Sequence, residues 1–255
     1  MHEQQRIAAA AALPPSLVRW QDSIDSTSRQ LYQAAAREDL PHGTLLAAGQ
    51  QSAGRGRGGK SFFSPPEAGL YFSILLRHFP AGENLAITPR AALAVHRVLA
   101  RRGCALGIKW VNDLFREGRK AGGILTQILP SGAAVVGIGL NLAPVPLPAE
   151  LREIVGFCFG DARCLERRPE LIGEIAAALL SLMEPPATDN KNNNEMLCDE
   201  YRAASVLLGK AVTFEENGQR REALAVDITP AGGLVVLLAG EQRVLTSGEV
   251  HLRLK

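Results

Sequence analysis

The sequence predicts an α+β fold in two parts: a large domain that mixes helices and strands, and a small C-terminal β-barrel. Helical and strand-like patterns alternate over residues 1–207, whereas 208–255 contain short strand-like segments separated by glycine turns. The polar segment 185–194, PPATDNKNNN, is typical of a linker. A chain of 255 residues is long enough for one large and one small core.

The elements predicted in the first hundred residues follow from capping residues and apolar runs. Hydroxyl residues before good helix formers indicate a capped helix start, and aromatic or β-branched runs indicate buried strands. The predicted elements are a helix over 29–38 capped by Ser26-Thr27, strands over 44–48 and 70–76, and an amphipathic helix that begins at Thr88-Pro89.

The later elements are predicted in the same way. Strand-like runs occupy 106–110, 123–129 and 134–140, and helices are predicted over 169–183 and 195–207. Beyond Gly209, four or five short strands are separated by turns such as Asn217-Gly218, and this spacing is typical of a small all-β barrel.

The charge composition gives no reason to expect nucleic acid or an anionic membrane as the main partner. The chain has 28 basic and 26 acidic residues, a formal charge of +2. No stretch approaches the roughly 18–20 uninterrupted apolar residues of a membrane span. No cationic leader with a long apolar core opens the chain, so a secretory signal is not expected.

The cysteines and histidines show no metal-ligand spacing. None of the four cysteines forms a C-x-x-C pair, and the five histidines are scattered, so no transition-metal site is predicted. Free thiols predict a cytoplasmic protein.

A glycine-rich basic loop is the most informative part of the sequence. Between residues 54 and 60 four glycines alternate with Arg55, Arg57 and Lys60. Bare amides and cations can both approach a phosphate on such a loop. Taken alone, the loop is equally compatible with a solvated surface segment.

The same loop matches the phosphate-binding pattern G-x-x-x-x-G-K-S between Gly54 and Ser61. That pattern requires a helix to start immediately after it. Pro65 and Pro66 make a helix there unfavourable, so this interpretation is rejected.

Five ordered motifs resemble those of the biotin–protein ligases. The glycine-rich loop, continued by Gly69-Leu70-Tyr71-x-Ser73, is similar to that family's signature G-R-G-R-x-G-R-x-W-x-S-P…G-L-Y-x-S. The resemblance extends over nearly the whole chain to its C-terminal segment 209–253. The other motifs are Ser26-Thr27, Lys109-Trp110-Val111-Asn112-Asp113-Leu114, Lys120-Ala121-Gly122-Gly123-Ile124-Leu125 and Val136-Gly137-Ile138-Gly139-Leu140-Asn141.

The chain departs from the family pattern at four positions. Ser28 replaces Asn, Lys60 replaces Arg, Phe62 replaces Trp and Val111 replaces Pro. Lys60 keeps the charge without the bidentate fork, which weakens the expected phosphate contact there. Phe62 keeps a stacking face and loses the indole donor.

The resemblance implies a mixed-sheet catalytic domain of the biotin/lipoate ligase type, residues 1–207, and an SH3-like β-barrel, residues 208–255. It implies that ATP activates biotin as biotinyl-5′-AMP, with Mg²⁺, before transfer to a lysine of a biotin carboxyl carrier protein. Only 25 residues precede Ser26, too few for the DNA-binding domain of some members, so direct DNA binding is not expected. A homodimer is compatible with the sequence.

The resemblance also implies roles for individual residues. Lys120, Arg57 and Asp113 are the expected catalytic residues, with Asp113 as the one carboxylate available to Mg²⁺ brought by ATP. Trp110 and Tyr71 are expected to belong to the core. The expected biotin contacts are Ser26, Thr27, Ser28, Gln51, Arg55, Gly56, Arg57, Lys120 and Gly122. The expected nucleotide contacts are Arg55, Arg57, Lys60, Asn112, Lys120, Asn141 and Arg253.

Two alternatives remain at this point. A lipoate–protein ligase has the same two-step chemistry and a related K-W-x-N-D motif, whereas the G-R-G-R loop favours biotin. A non-catalytic biotin- or nucleotide-binding regulator would bind biotin without forming pyrophosphate. An adenylation assay with biotin and lipoate in competition separates all three.

Overall fold

A seven-stranded mixed sheet forms the centre of the large part of the chain. The computed structural model describes residues 2–79, 87–184 and 191–252. The strand order is β1-β2-β3-β7-β6-β5-β4, in which β1 and β2 are parallel and all other neighbours are antiparallel. The strands are β1 Val18–Ile24, β2 Leu45–Gln51, β3 Gly69–Leu76, β4 Gly107–Lys109, β5 Asp113–Arg116, β6 Arg119–Ile128 and β7 Ala134–Asn141.

Five α-helices accompany this sheet in the described residues. The first helix packs on the fourth, where Gly173 allows the two helix backbones to approach closely. None of these helices combines the length and apolarity needed to cross a membrane. The helices are α1 Glu3–Ala11, α2 Thr27–Arg37, α3 Ile87–Arg101, α4 Arg168–Met183 and α5 Lys191–Ala204.

The two faces of the sheet are covered differently. Side chains alternate along each strand, so Leu70, Phe72 and Ile74 of β3 enter the main core with α1, α3 and α4. On the opposite face, Leu75 packs in a smaller cluster with Leu31 of α2. Helix α2 covers only part of this second face, and the functional cavity occupies the neighbouring area.

A second, smaller sheet follows α5. Its strands are β8 Ala211–Glu216, β9 Gln219–Ile228, β10 Leu234–Leu238, β11 Glu241–Leu245 and β12 Val250–Leu252, in the antiparallel order β11-β10-β9-β8-β12. Asn217 and Gly218 form a two-residue hairpin turn in which both residues have positive φ. This geometry is typical of a type I′ turn, and it agrees with the Asn-Gly signal in the sequence.

The structure confirms the α+β fold, with a mixed sheet followed by a small antiparallel sheet. Each of the five predicted strands and four predicted helices of the large part is present, with boundaries that differ by a few residues. Three elements were not predicted: α1, β1 and β5. The predicted linker is partly wrong, because 191–194 begin α5, whereas 185–190 lie outside the described residues.

The phosphate-loop interpretation was correctly rejected. Residues 57–59 form a single 3-10 turn, and the chain then continues through isolated bridges at Ser61 and Ser64 to β3. No helix N-terminus follows the loop in this segment.

Candidate active site

A cavity of about 190 Å³ opens on the second face of the large sheet, beside the small sheet. The start of α2, the glycine-rich loop, the β4–β5 hairpin, strands β6 and β7 and the segment before β12 each contribute to its wall. The lining residues used below are Thr27, Ser28, Gln51, Arg55, Gly56, Arg57, Lys60, Phe62, Lys109, Asn112, Asp113, Lys120, Gly123, Gly137, Gly139, Glu249 and His251.

One group of lining residues is polar and uncharged. Gln51 Oε1 accepts hydrogen bonds from the backbone N–H and the hydroxyl of Thr27, at 2.9 and 3.2 Å. The other half of the Gln51 amide donates to Ser64 Oγ at 2.9 Å. Ser73 Oγ donates to the Thr27 hydroxyl at 2.9 Å. This network fixes the orientations of Thr27 and Gln51, and such groups suit a ligand ring that both donates and accepts hydrogen bonds.

A second group of lining residues includes cations. Lys120 Nζ lies 2.6 Å from Asp113 Oδ1, and Arg57 Nη1 donates to Asn112 Oδ1 at 3.1 Å. The Asn112 side-chain amide donates to the carbonyl of Ile124 at 3.1 Å, so Asn112 connects Arg57 to strand β6 of the sheet. The cations are therefore held in place before any anion binds, as transition-state stabilisation requires.

Three glycines on adjacent strands leave the cavity face of the sheet without side chains at their positions. Gly123 is paired with Gly139, and Leu125 with Gly137, across β6 and β7. An added Cβ at Gly139 would lie 2.7 Å from Cε1 of Phe62. The Phe62 ring can therefore lie against the backbone of β7 because position 139 has no side chain.

The small sheet closes one side of the cavity. Lys60 Nζ lies 2.6 Å from Glu249 Oε1, which joins the glycine-rich loop to the segment before β12. This hydrogen bond from Lys60 lowers the pKa of Glu249 below its usual value, against the opposing effect of partial burial. Trp110 Nε1 donates to the carbonyl of Gly232 at 2.8 Å and adds a second contact between the two sheets.

Most of the site residues expected from the sequence line this one cavity. They come from four separate segments of the chain, which the fold brings together. The ten residues are Thr27, Ser28, Gln51, Arg55, Gly56, Arg57, Lys60, Asn112, Asp113 and Lys120.

Three expected residues do not line it, and a fourth lies outside the described residues. Ser26 is 1% exposed and caps α2, accepting a hydrogen bond from the Arg29 N–H. Gly122 lies on the opposite side of β6, where an added Cβ would meet Leu140. The Asn141 amide donates to the backbone carbonyls of residues 120 and 156. Arg253 lies outside the described residues.

The expected core role of Tyr71 and Trp110 is confirmed. Tyr71 is 1% exposed and Trp110 3%, and the Tyr71 hydroxyl donates to the carbonyl of Pro65 at 3.1 Å. Burial raises the pKa of Tyr71. Trp110 also contributes to the cavity wall.

Several lining residues were not expected. Glu249 and His251 approach from almost the other end of the chain, and no local signal in the sequence predicts that contact. Gly123, Gly137 and Gly139 could have been recognised, because their spacing on predicted strands leaves one face without side chains. Lys109 belongs to a recognised motif but had been given no role. In the described ranges, no group of three or more His, Cys, Asp or Glu side chains is arranged to hold a metal ion.

Known proteins resemble both parts of the chain. Residues 20–141 match the Biotin/lipoate A/B protein ligase family, and residues 207–253 match the Biotin protein ligase C terminal domain. A biotin--[acetyl-CoA-carboxylase] ligase from Mycobacterium tuberculosis is 30% identical over 236 residues, which cover 89% of this chain and 86% of that protein. A bifunctional ligase/repressor BirA from Bacillus spizizenii is 34% identical over 143 residues, 53% of this chain and 44% of the relative.

Solved structures show the same architecture. A biotin protein ligase mutant from Aquifex aeolicus in complex with biotin has a TM-score of 0.76 and 25% sequence identity, covering 92% of this chain and 97% of that chain. The Aquifex aeolicus biotin protein ligase in complex with biotin and ATP has a TM-score of 0.75 and 24% identity, covering 92% and 98% of the two chains. Because sequence relatives and folds agree along nearly its whole length, the chain belongs to the biotin protein ligases of the biotin/lipoate A/B protein ligase family.

Proposed function

We propose that this chain activates the carboxylate of biotin with ATP and then transfers the biotinyl group to a lysine of a biotin carboxyl carrier protein. The observation that carries the proposal is that one cavity is lined both by uncharged hydrogen-bonding side chains, Thr27 and Gln51, and by the cations Arg57 and Lys120. Biotin has a matching form: an uncharged ureido ring that donates and accepts hydrogen bonds, and a carboxylate on a short chain.

In the first step a biotin carboxylate oxygen attacks the α-phosphorus of ATP. The bond between the α-phosphorus and the bridging oxygen breaks, and pyrophosphate leaves. Two like charges at about 4 Å repel by roughly 1 kcal/mol in water and about 4 kcal/mol at an effective dielectric of 20. Lys120 and Arg57 would offset this repulsion, and their fixed positions mean that little reorganisation is needed as charge develops.

Mg²⁺ would enter this site together with ATP. It usually binds through one or two carboxylates, water and substrate phosphates, and would neutralise phosphate charge here. Asp113 and Glu249 are the carboxylates that line the cavity, and each is paired with a lysine. This donor set fits an ion that is carried by the nucleotide, with Asp113 as its protein ligand.

In the second step an uncharged lysine amine of the acceptor attacks the carbonyl carbon of biotinyl-5′-AMP. The bond to the phosphate oxygen breaks, AMP leaves, and the nitrogen loses a proton to give an amide. Arg57 would hold the departing phosphate, since its guanidinium is fixed by Asn112. Lys120, close to the same atoms, would stabilise the carbonyl oxygen.

We also propose that the catalytic domain ends near residue 207 and that the small domain starts near 208. Val206 N–H still bonds to the carbonyl of Ile108 in the large sheet. Gly209 N–H bonds to the carbonyl of Ala225 in the small sheet. The boundary expected from the sequence lies between the two residues that donate these hydrogen bonds.

The proposal is tested by biotin-dependent exchange of labelled pyrophosphate into ATP, with lipoate as the competing acid. Exchange with biotin and little exchange with lipoate is the expected result. The second assay adds a carrier domain and follows biotin attachment to its lysine by mass spectrometry. Exchange that depends on lipoate would identify a lipoate ligase, and biotin binding with no exchange would identify a regulator.

A further inference from the structure

Lys109 is a third lysine of the cavity, with no part in the chemistry above. It is the last residue of β4 and pairs with Asp113 across the β4–β5 hairpin. Residues paired in this way project to the same face of a sheet. The half-buried Lys109 side chain therefore enters the cavity beside the Lys120–Asp113 pair.

The charge on Lys109 lacks the compensation that its neighbours have. Lys120 is 2.6 Å from an oxygen of Asp113, and Lys60 is 2.6 Å from an oxygen of Glu249. No carboxylate in the described part of the chain forms an ion pair with Lys109. Lys109 Nζ lies over the ring of Phe115, 5.5 Å from its centroid.

The environment of Lys109 disfavours an uncompensated charge. Burial lowers the pKa of Lys109; the charges of Lys120 and Lys60 lower it further, and those of Asp113 and Glu249 oppose the change. An unpaired ammonium in a partly desolvated cavity is costly, unless an anion binds there during the reaction cycle. The contact with Phe115 stabilises the stem and part of the charge but supplies no anion.

The position of Lys109 indicates which anion binds. The charges that act on Lys109 are those of Asp113, Lys120, Glu249 and Lys60, so the two ion pairs of the cavity are its charged neighbours. If the α-phosphate lies at Lys120, as the proposed function requires, the two further phosphates can reach Lys109, because its side chain enters the same cavity beside the Lys120–Asp113 pair. We propose that Lys109 binds the β- and γ-phosphates of ATP and holds the pyrophosphate as it leaves. This inference rests on the proposed function.

The two half-reactions provide the test, because only the first involves pyrophosphate. We compare Lys109→Met with the original chain, with Lys109→Arg and with Lys210→Met, a control at an exposed turn lysine. Exchange measures the first half-reaction and gives KM for pyrophosphate. Transfer from preformed biotinyl-5′-AMP to the carrier domain measures the second.

Lys109→Met is expected to raise KM for pyrophosphate and ATP roughly ten- to hundredfold, because a charge-assisted contact is lost. Its transfer from preformed biotinyl-5′-AMP should stay within about threefold of the original chain, and Lys109→Arg should recover most of the exchange. Equal losses in both half-reactions would overturn the inference, and so would an unchanged KM for pyrophosphate. A failure of the proposed function is distinct, since the original chain itself would then show no exchange.

Discussion

Lys120 Nζ and Asp113 Oδ1 lie 2.6 Å apart above Gly123 in the wall of the cavity. A Cβ added at Gly123 would be 3.5 Å from Lys120 Cε and 3.6 Å from the same Asp113 oxygen. The ion pair thus occupies the space that a side chain at position 123 would fill. Asp113 neutralises Lys120 while no other anion is present, and substrate anions would compete with it for the ammonium.

Lys120→Ala is expected to lower the rate of biotin-dependent pyrophosphate exchange by about 10²-fold or more, the usual effect of removing one group that stabilises developing charge. Circular dichroism should show the fold retained, because Lys120 is partly exposed and its neighbours come from stable strands. Lys210→Ala, at an exposed position, is the matched control. Near-normal exchange by Lys120→Ala would remove Lys120 from the mechanism.

Thr27→Val is expected to weaken biotin binding and to leave KM for ATP nearly unchanged. Valine keeps the shape of threonine but loses the hydroxyl that donates to Gln51 Oε1 and accepts from Ser73 Oγ. In the proposed complex the same hydroxyl contacts the ureido ring, and the loss of that one hydrogen bond costs about 0.5–1.5 kcal/mol, or a roughly two- to tenfold rise in KM for biotin. Thr27→Ser, which keeps the hydroxyl, is the control. A larger effect on KM for ATP than for biotin would contradict the assignment of Thr27 to the biotin site.

The site could be predicted from sequence wherever its signals are local. Ser26 was expected as a helix cap, and it caps α2 because its side chain needs only the N–H three residues later. The motif alone could not distinguish Gly122 from Gly123, because the face on which each lies depends on strand register. The contact between Lys60 and Glu249 joins residues 189 positions apart, and nothing near either residue predicts it.

The pH dependence of the Lys60–Glu249 contact can be measured directly. Lys60 holds the pKa of Glu249 below its usual value, so the stabilising effect of this pair is present above the pKa of an unfolded glutamate. It is lost as the pH falls through the lower, folded-state pKa. Lys60→Met should therefore raise the pKa of Glu249 toward its usual value, as followed by NMR of labelled glutamate carboxyls. Lys210→Met should leave that pKa unchanged. An unaltered Glu249 titration in Lys60→Met would show that the two side chains do not pair in solution.

The last prediction concerns the contact between Gly139 and Phe62. Gly139→Ala would place a methyl group 2.7 Å from Cε1 and 2.9 Å from Cζ of the Phe62 ring, so the ring must move. Overpacking of this kind costs roughly 1–3 kcal/mol, measurable by urea unfolding, and the displaced ring should also raise KM for biotin. Gly160→Ala is the matched control, because its methyl group would meet nothing within 4 Å.

Repeating Gly139→Ala in a Phe62→Ala background separates two effects on stability. One is the steric conflict with the ring, and the other is the intrinsic effect of alanine in a strand. If the ring causes the loss, the smaller side chain removes the clash, and Gly139→Ala should then change stability by less than about 0.5 kcal/mol. An equal cost in both backgrounds would locate the effect in the β7 backbone. In that case the absence of side chains on this face of β7 would not serve to accommodate the Phe62 ring, and the ligand would be the group that requires the space.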